Sequence, residues 1–284
     1  MRRTGGAAAL LAAAALVAGC AAADDGIRLP PRDGVLDYQL GGAYAPAPEV
    51  TIVVRDRTEA PADGAYGVCY VNLFQTQPDP ASGPDPALEG TTAWWDAVHP
   101  ELLLRDADGA LVVDEEWNEA LFDIRTAATR EALLQIQSAW LRGCADDGYD
   151  AVEPDNLDQH ERSHGLQTLD HALAYMAEVI PLAHRLGLAV AQKNTAELGT
   201  SGPELGFDFA VAEECELHDE CADYRYPGRV LEIEYDDTGA VERDGTTRTA
   251  FEWACARRSG DHPITLRDRD ATPRGDPAHV FAHC

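Results

Sequence analysis

The stretch GYDAVEPDNLD, residues 148–158, ends a short apolar run in a group of carboxylates. Residues 149–155 are typical of a β-strand, whose side chains alternate between two faces, so that Glu153 and Asp155 share one face. A helical pattern of apolar residues precedes this strand at 126–142, and another follows it at 168–186. A strand between two helices indicates βαβ units and therefore a mainly parallel sheet.

The same alternation extends along most of the chain. Nine short apolar runs are strand candidates: 35–40, 51–55, 66–74, 121–124, 149–155, 188–193, 207–212, 229–235 and 264–266. A further helical pattern covers 247–258. These elements fit an α/β fold, a single-domain (β/α)8 TIM-like barrel with one strand candidate in excess. An open doubly wound sheet is the alternative, but the sequence lacks the G-x-G-x-x-G turn of its nucleotide-binding members.

The amino terminus has the features of an export signal. Arg2 and Arg3 precede an apolar stretch that ends in Leu-Val-Ala-Gly-Cys, so residues 1–19 are interpreted as a lipoprotein-type signal peptide and Cys20 as the lipid-bearing residue. Plain secretion, with cleavage near Ala23, is the alternative. The polar, Pro-rich residues 20–33 are expected to form a tether, followed by the barrel at 34–284. Both interpretations place the protein outside the cell, either secreted or attached to the extracellular side of the membrane by the lipid alone.

Six cysteines lie beyond this segment, at 69, 144, 215, 221, 255 and 284. An even number in an exported chain favours disulfides, although six cysteines allow fifteen pairings. Cys215–Cys221 is the favoured pair because it closes a short loop, and a Cys255–Cys284 bond would fix the carboxyl terminus. The spacings do not match the Cys-x-x-Cys pattern of a zinc site.

Acidic residues outnumber basic ones by 50 to 22, which gives a formal net charge of −28. This balance argues against a nucleic-acid partner and disfavours polyanionic substrates, because phosphates would be repelled. It suits a neutral or cationic ligand, although a high-salt or high-GC lineage also produces such a composition. The only lysine is Lys193; every other basic residue is an arginine.

Polar side chains gather where consecutive strand candidates end. They are Glu153, Asp155, Asn156 and Asp158; Lys193 and Asn194; Glu213 and Glu214; and Glu234 and Tyr235, with Asp123 and Asp37 on earlier runs. In a barrel these ends meet at one rim, where functional groups lie. Paired carboxylates are what glycosidic cleavage needs, and the Lys193 ammonium would keep a neighbouring carboxylate charged. The alternative is a set of ion pairs on an acidic surface.

One sequence motif that is typical of zinc sites is not interpreted as a metal site here. Residues 160–164 match the H-E-x-x-H pattern of zinc proteases, which requires a helix, but they lie in a loop without an apolar stripe. A cation held by Glu153, Asp155 and Asp158 has no support either, so no metal or cofactor is expected. Trp94, Trp95 and Trp117 in the insertion before residue 121 would either stack on sugars or cap the barrel.

Several blocks of the sequence resemble glycoside hydrolase family 114. They are 36–40 (LDYQL), 67–72 (GVCYVN), 121–126 (LFDIRT), 148–158, 187–194 (GLAVAQKN), 208–221 (DFAVAEECELHDEC) and 231–235 (LEIEY). The resemblance implies a (β/α)8 barrel with endo-α-1,4-polygalactosaminidase activity. It implies Asp155 and Glu213 as the catalytic carboxylates and a Cys215–Cys221 disulfide. It also implies a sugar site that includes Glu153, Asp158, Lys193, Asn194 and Glu234.

The chain departs from the family pattern at two places. Glu214 stands where the family usually has Gln, and Leu73-Phe74-Gln75 replace a usual Gly-Ser. The expected function is hydrolysis of an amino-sugar polysaccharide by a monomer, with Asp155 as nucleophile and Glu213 as acid/base or the reverse. Asp37, Asp123, Asn156 and Tyr235 are further candidate substrate contacts. The alternative is a non-catalytic surface lipoprotein that binds glycans on the same barrel.

Overall fold

Eight parallel strands follow one another in chain order around a barrel, which a computed structural model describes over residues 26–284. They are β1 (Leu36–Gln39), β2 (Ile52–Asp56), β3 (Tyr66–Asn72), β4 (Ala151–Asp155), β5 (Ala189–Lys193), β6 (Phe209–Glu213), β7 (Val230–Tyr235) and β8 (Ile264–Arg267). Each pairs in parallel with the next, and β9 (Phe281–His283) pairs antiparallel with β8. The predicted TIM-like (β/α)8 barrel is confirmed.

The strand candidate in excess is the run 121–124. Leu121 forms an isolated antiparallel bridge with Gln75, and Phe122 forms one with Leu103, so the run does not enter the barrel wall. It belongs to the insertion between β3 and the next long helix. That insertion also carries a short hairpin, Val113–Asp114 paired with Glu119–Ala120.

The helices are α1 (Thr92–Val98), α2 (Ala127–Asp147), α3 (Leu169–Arg185), α4 (Ser201–Leu205), α5 (Cys215–His218) and α6 (Ala250–Arg258). The three predicted helices correspond to α2, α3 and α6. Helix α2 continues beyond Gly143 and ends before Gly148, whose φ of 92° only glycine adopts readily. The hairpin Ala240–Arg243 with Thr246–Thr249 precedes α6. None of the helices within residues 26–284 is long and apolar enough to span a membrane.

The first two strand connections contain no helix. The chain passes from β1 to β2 through residues 40–51 and from β2 to β3 through residues 57–65 without forming one. Apolar side chains from these connections and from the carboxyl terminus, including Val50, Ala62 and Phe281, pack with Val53 of β2 and cover this side of the barrel instead. The repeating strand-helix pattern expected from the sequence is therefore incomplete on this flank.

Alternation along the strands separates two cores. One set of side chains, including Leu36, Ile52, Val68, Phe209 and Ile233, fills the barrel interior. The opposite set packs under helices α2 and α3. Since side chains alternate strictly in a strand, the residue that follows an interior residue points outward. This rule decides which polar residues reach the interior at the carboxyl-terminal rim.

A buried ion pair joins the first and last barrel strands. Arg267 Nη1 of β8 lies 3.1 Å from Asp37 Oδ1 of β1, and both side chains are fully buried. Asp37 also accepts hydrogen bonds from the Tyr44 hydroxyl and the Gln39 amide. Full hydrogen bonding of this kind is needed to offset the cost of burying two charges. Among the described residues this contact, rather than a ladder of backbone hydrogen bonds, joins β1 to β8.

Three disulfides hold the structure: Cys69–Cys144, Cys215–Cys221 and Cys255–Cys284. The last two are the pairs favoured by the sequence. Cys69–Cys144 links β3 to α2. Three disulfides in a chain of this size fit an exported protein.

The segment expected to be a tether lies against the barrel. Residues 1–25, which include the proposed signal peptide and Cys20, are outside the described residues. From Gly26 onward the chain runs past the amino-terminal ends of the strands, where Ile27 and Leu29 pack on the interior core. Arg28 pairs with Asp150 at 3.0 Å. The part of the expected tether that the structure describes is therefore a packed segment.

Candidate active site

A groove of about 970 Å³ opens at the carboxyl-terminal ends of the strands. Its acidic lining residues are Asp56, Glu59, Glu89, Asp114, Glu116, Glu119, Asp155, Asp158, Glu161, Glu197, Glu213, Glu214, Glu220 and Asp270. Its basic ones are Arg57, Arg162, Lys193 and Arg269. The groove lining is thus strongly acidic, which would attract a cationic ligand.

Lys193 joins three carboxylates at the base of the groove. Its Nζ lies 2.7 Å from Glu153 Oε1, 2.9 Å from Asp155 Oδ1 and 3.1 Å from Glu213 Oε2. The lysine side chain is only 3% exposed. Burial alone would lower the pKa of Lys193, but the three carboxylates outweigh it and hold that pKa well above its usual value. The ammonium is therefore permanently charged and uses its donors on these acids.

Each of the three carboxylates also accepts a hydrogen bond from one tyrosine. Tyr38 donates to Glu153 at 2.8 Å, and Tyr70 donates to Asp155 at 2.6 Å. Tyr235 donates to Glu213. Because each phenol comes from a different strand, the wall of the barrel fixes the position of every carboxylate. Such rigid support is what a catalytic group requires.

The environments of Glu153 and Asp155 drive their pKa values in opposite directions. Burial raises the pKa of Glu153 to about 7, with Lys193 opposing the change. Burial acts in the same direction on Asp155, but Lys193 and the Tyr70 hydroxyl reverse it and lower the pKa of that carboxyl. Asp155 is therefore ionised at neutral pH, as a nucleophile must be.

Asparagines in left-handed backbone conformations follow two of the strands. Asn156, after β4, has φ of 66°, and Asn194, after β5, has φ of 44°. Asparagine tolerates this conformation better than most residues. Asn156 Nδ2 lies 3.2 Å from Asp155 Oδ2. Asn194 accepts the backbone N–H of Glu213 at 2.9 Å and donates to Glu213 Oε2 at 3.3 Å. The sharp turns thus bring amides onto both candidate catalytic carboxylates.

Glu214, which replaces the usual glutamine, is paired with a base. It has φ of 57°, and both of its carboxylate oxygens lie 2.9 Å from the guanidinium of Arg269. That guanidinium lies 4.1 Å from the centroid of the Tyr235 ring. The second acid is therefore matched by a cation that also packs on the tyrosine bound to Glu213.

The structure brings together most, but not all, of the predicted site residues. Asp155, Asn156, Asp158, Lys193, Asn194, Glu213 and Tyr235 line the groove. Glu153 lies beneath them, fully buried, and is not part of the lining. It supports Lys193 and does not face a ligand.

Three further predicted contacts lie outside the groove lining. Asp37 and Glu234 each precede an inward-facing tyrosine by one residue, so both point out of the barrel. Asp37 binds Arg267, and Glu234 accepts the backbone N–H of Glu216 at 2.9 Å. Asp123 pairs with Arg125 at 2.7 Å, away from the groove. Strand alternation alone could have excluded the first two.

Sequence reasoning missed Tyr38, Tyr70 and Glu119. The two tyrosines share the inward parity of Glu153 and Asp155, so alternation could have identified them. Glu119 comes from the short hairpin of the insertion, and its neighbours in sequence do not mark it as a site residue. Its side chain is 6% exposed, and Asn72 donates to it at 2.8 Å. Burial, followed by the charge of Asp155, raises the pKa of Glu119 to about 8.

The insertion tryptophans have different roles. Trp95 is fully buried in the outer core, which matches the capping alternative. Trp117 is 45% exposed and lines the groove, where it is available to stack on a sugar.

The H-E-x-x-H motif forms a short 3-10 turn at Gln159–Arg162 in place of an α-helix. His160, Glu161 and Glu197 have potential ligand atoms within 4.8 Å of one another, and His164 is outside this group. The motif therefore does not present the two histidines of a zinc protease to one ion.

The barrel, with two supported carboxylates at its carboxyl-terminal rim, defines a glycoside hydrolase. The chain belongs to glycoside hydrolase family GH114, whose family model matches residues 17–284. The resemblance noted in the sequence is thereby confirmed.

Two solved structures share the fold. Ega3 from Aspergillus fumigatus, in complex with galactosamine, is 19% identical with a TM-score of 0.66 over 90% of this chain and 97% of its own. The glycoside hydrolase domain of PelA from Pseudomonas aeruginosa is 17% identical with a TM-score of 0.54 over 87% of this chain and 97% of its own. Comparison with curated proteins gave no match.

Proposed function

We propose that this glycoside hydrolase cleaves an α-1,4-linked, galactosamine-containing polysaccharide with Asp155 and Glu213 as its catalytic pair. The observation that carries the proposal is the contact of both carboxylates with the single ammonium of Lys193 inside the groove. Membership of family GH114 supports this polymer class. The galactosamine bound by the structurally similar Ega3 supports it as well.

The charge of the groove also favours an amino sugar. Glucosamine-type and galactosamine-type units carry an ammonium when they are not acetylated, and the groove lining is strongly acidic. A neutral polymer would gain nothing from this field, and an acidic polymer would be repelled. A polymer with free amines is therefore the preferred substrate.

The proposed reaction has two steps. Asp155, ionised by its contacts with Lys193 and Tyr70, attacks the anomeric carbon while Glu213 gives its proton to the departing glycosidic oxygen. This forms a glycosyl ester on Asp155 and releases one polymer fragment. Glu213 then takes a proton from water, the resulting hydroxide attacks the anomeric carbon, and Asp155 leaves as a carboxylate. Lys193 and the tyrosines hold both groups throughout.

The distances favour retention of configuration. Since Lys193 Nζ lies 2.9 Å from Asp155 Oδ1 and 3.1 Å from Glu213 Oε2, those oxygens are separated by less than the sum of the two distances. Inverting glycosidases separate their carboxyls by about 6.5–9.5 Å, and retaining ones by about 5–5.5 Å. The close approach of these two oxygens therefore supports a retaining mechanism.

The test compares wild type with Asp155→Asn and Glu213→Gln on an α-1,4-linked galactosamine polymer, with chitosan as the β-linked control. Release of reducing ends is expected from wild type on the first polymer alone, and a loss of about 10³-fold or more in each variant. Glu131→Gln, an exposed change on α2, is the matched control and should keep full activity. Wild-type protein that binds the polymer without releasing reducing ends would establish the glycan-binding alternative instead.

We further propose that the mature protein carries its lipid on Cys20. The three disulfides support export, and the Leu-Val-Ala-Gly-Cys sequence supports the lipid. Replacement Cys20→Ser should move the protein from the membrane fraction to the medium. An unchanged distribution would contradict the lipid attachment and leave the proposed activity unaffected.

A further inference from the structure

Glu119 lies near Oδ2 of Asp155, whereas Lys193 contacts Oδ1. It belongs to the hairpin of the insertion, yet its carboxyl lies within reach of a strand end of the barrel. The amide of Asn156 connects the two acids, because its Nδ2 lies 3.2 Å from Asp155 Oδ2 and 3.4 Å from Glu119 Oε2. Glu119 is therefore one amide away from the proposed nucleophile.

Only one oxygen of the Glu119 carboxyl is anchored. Oε2 accepts a hydrogen bond from the Asn72 amide at 2.8 Å. It accepts another from the Gln75 amide at 3.0 Å, in the amide orientation that satisfies both neighbours of Gln75. Within residues 26–284, Oε1 receives no hydrogen bond. Because Glu119 is only 6% exposed and lines the groove, this second oxygen is open to a hydrogen-bond donor of a ligand there.

The carboxyl of Glu119 also lacks a cationic partner. Lys193 pairs with Glu153, Asp155 and Glu213. Arg162, the nearest arginine to act on the Glu119 carboxyl, pairs with Asp114 at 2.7 Å and Asp158 at 2.6 Å. Glu119 forms no ion pair with any residue that the structure describes. A cationic group of the substrate would supply the ion pair that this site lacks, whereas a hydroxyl would not.

We infer that Glu119 Oε1 binds a protonated amine of the polymer and so selects free amino sugars over N-acetylated ones. The inference rests on the proposed function, since it concerns the same groove. An acetamide carries no charge, and its acyl group would occupy the position of the compact ammonium beside the carboxyl. Discrimination would then arise because only the free amine forms an ion pair with the buried acid.

The burial of Glu119 agrees with this role. In the free protein burial, followed by the like charges of Asp155 and Asp114, outweighs the Asn72 hydrogen bond and the charge of Arg162 and raises the pKa of Glu119 to about 8. An ammonium bound at Oε1 would favour the ionised form and return that pKa toward its ordinary range.

The experiment measures kcat/KM of wild type and Glu119→Gln on two preparations of one α-1,4-linked galactosamine polymer, one with free amines and one fully N-acetylated. The preference for free amines, expressed as the ratio of the two values, is expected to fall about tenfold in Glu119→Gln. Glu131→Gln on the outer surface is the matched charge control and should keep the wild-type ratio. A purely structural role would lower both values equally and leave the ratio unchanged, which would overturn the inference.

A second variant separates charge from packing. Glu119→Asp keeps the carboxylate, so it should retain the preference for free amines even if both values of kcat/KM decrease. Equal loss of preference in the Asp and Gln variants would contradict recognition of a cation. If wild type cleaves neither polymer, the proposed function fails; if wild type is active and Glu119→Gln keeps its preference, only the role of Glu119 fails.

Discussion

The ammonium of Lys193 lies 2.7 Å from a carboxylate oxygen of Glu153 that the groove does not reach. Glu153 thus fixes the lysine from below, while Asp155 and Glu213 meet it from the groove side. Three acids share one base, and the base is the only lysine of the chain. An arginine would not be equivalent here, because its planar guanidinium cannot direct donors to three acids around one nitrogen.

Removal of this ammonium should impair catalysis directly. In Lys193→Met, the pKa of Asp155 should rise because its main counter-charge is gone. We expect kcat/KM to fall on the order of 100-fold or more, with the acidic limb of its pH profile displaced to higher pH. Arg185→Met, an exposed loss of charge on α3, is the control. An unchanged pH profile would remove Lys193 from the mechanism.

The proposed retaining mechanism, which the close approach of Asp155 and Glu213 to Lys193 favours, predicts the stereochemistry of the first product. An α-linked polymer should yield a new reducing end that is initially α, because two displacements restore the configuration. Proton NMR of the anomeric signals during the first minutes, before mutarotation, measures this. A product that begins as the β anomer would show that water attacks directly and that Asp155 forms no ester.

Glu234 is expected to make stability depend on pH. Burial, reinforced by neighbouring glutamates, raises its pKa from 4.5 to about 8, and its Oε2 lacks a partner among the described residues. Between these two pH values the folded state holds a proton that the unfolded state has lost, so this residue destabilises the fold as pH rises from about 4.5 to 8.

Glu234→Gln should therefore raise Tm at pH 8 and change it little at pH 5, as measured by thermal unfolding. Glu131→Gln should leave both values unchanged. Equal shifts at the two pH values would indicate a packing effect and contradict titration of Glu234.

Two disulfides should contribute differently to activity and to stability. Cys215–Cys221 spans 6 residues directly after Glu213, whereas Cys255–Cys284 spans 29 residues far from the acids. Loop entropy predicts losses of about 2 and about 3.6 kcal/mol respectively. The Ser–Ser variant at 215 and 221 should lose more activity and less stability than the one at 255 and 284. Activity assays below Tm, together with unfolding curves, test this order, and the reverse order would contradict it.

The barrel and its paired carboxylates were predictable because strand alternation and strand ends are local features of the sequence. Residues 149–155 illustrate this, since the alternation alone places Glu153 and Asp155 on one face. The same rule, applied to Asp37 and Glu234, would have placed them outside the barrel. The absence of helices after β1 and β2 was not predictable, because the cover of that flank includes Phe281 from the other end of the chain.

Glu119 is a site residue that the order of residues along the chain does not predict. Its position depends on how a long insertion folds back over β3 and on contacts with Asn72 and Asn156, which are distant in sequence. Neither spacing nor composition encodes such a contact in a single chain. Buried acids of this kind become visible only when the tertiary structure shows which of them lack a partner.

Ile27 and Leu29 enter the barrel end opposite the groove, and Arg28 holds the chain there through Asp150. Gly26 consequently lies at the end of the barrel opposite the rim that carries Asp155 and Glu213. A protein immobilised by its amino terminus, whether on a bilayer or on a sensor chip, would present its groove to the surrounding solvent. Long polymer strands could then slide across it without steric obstruction from the support.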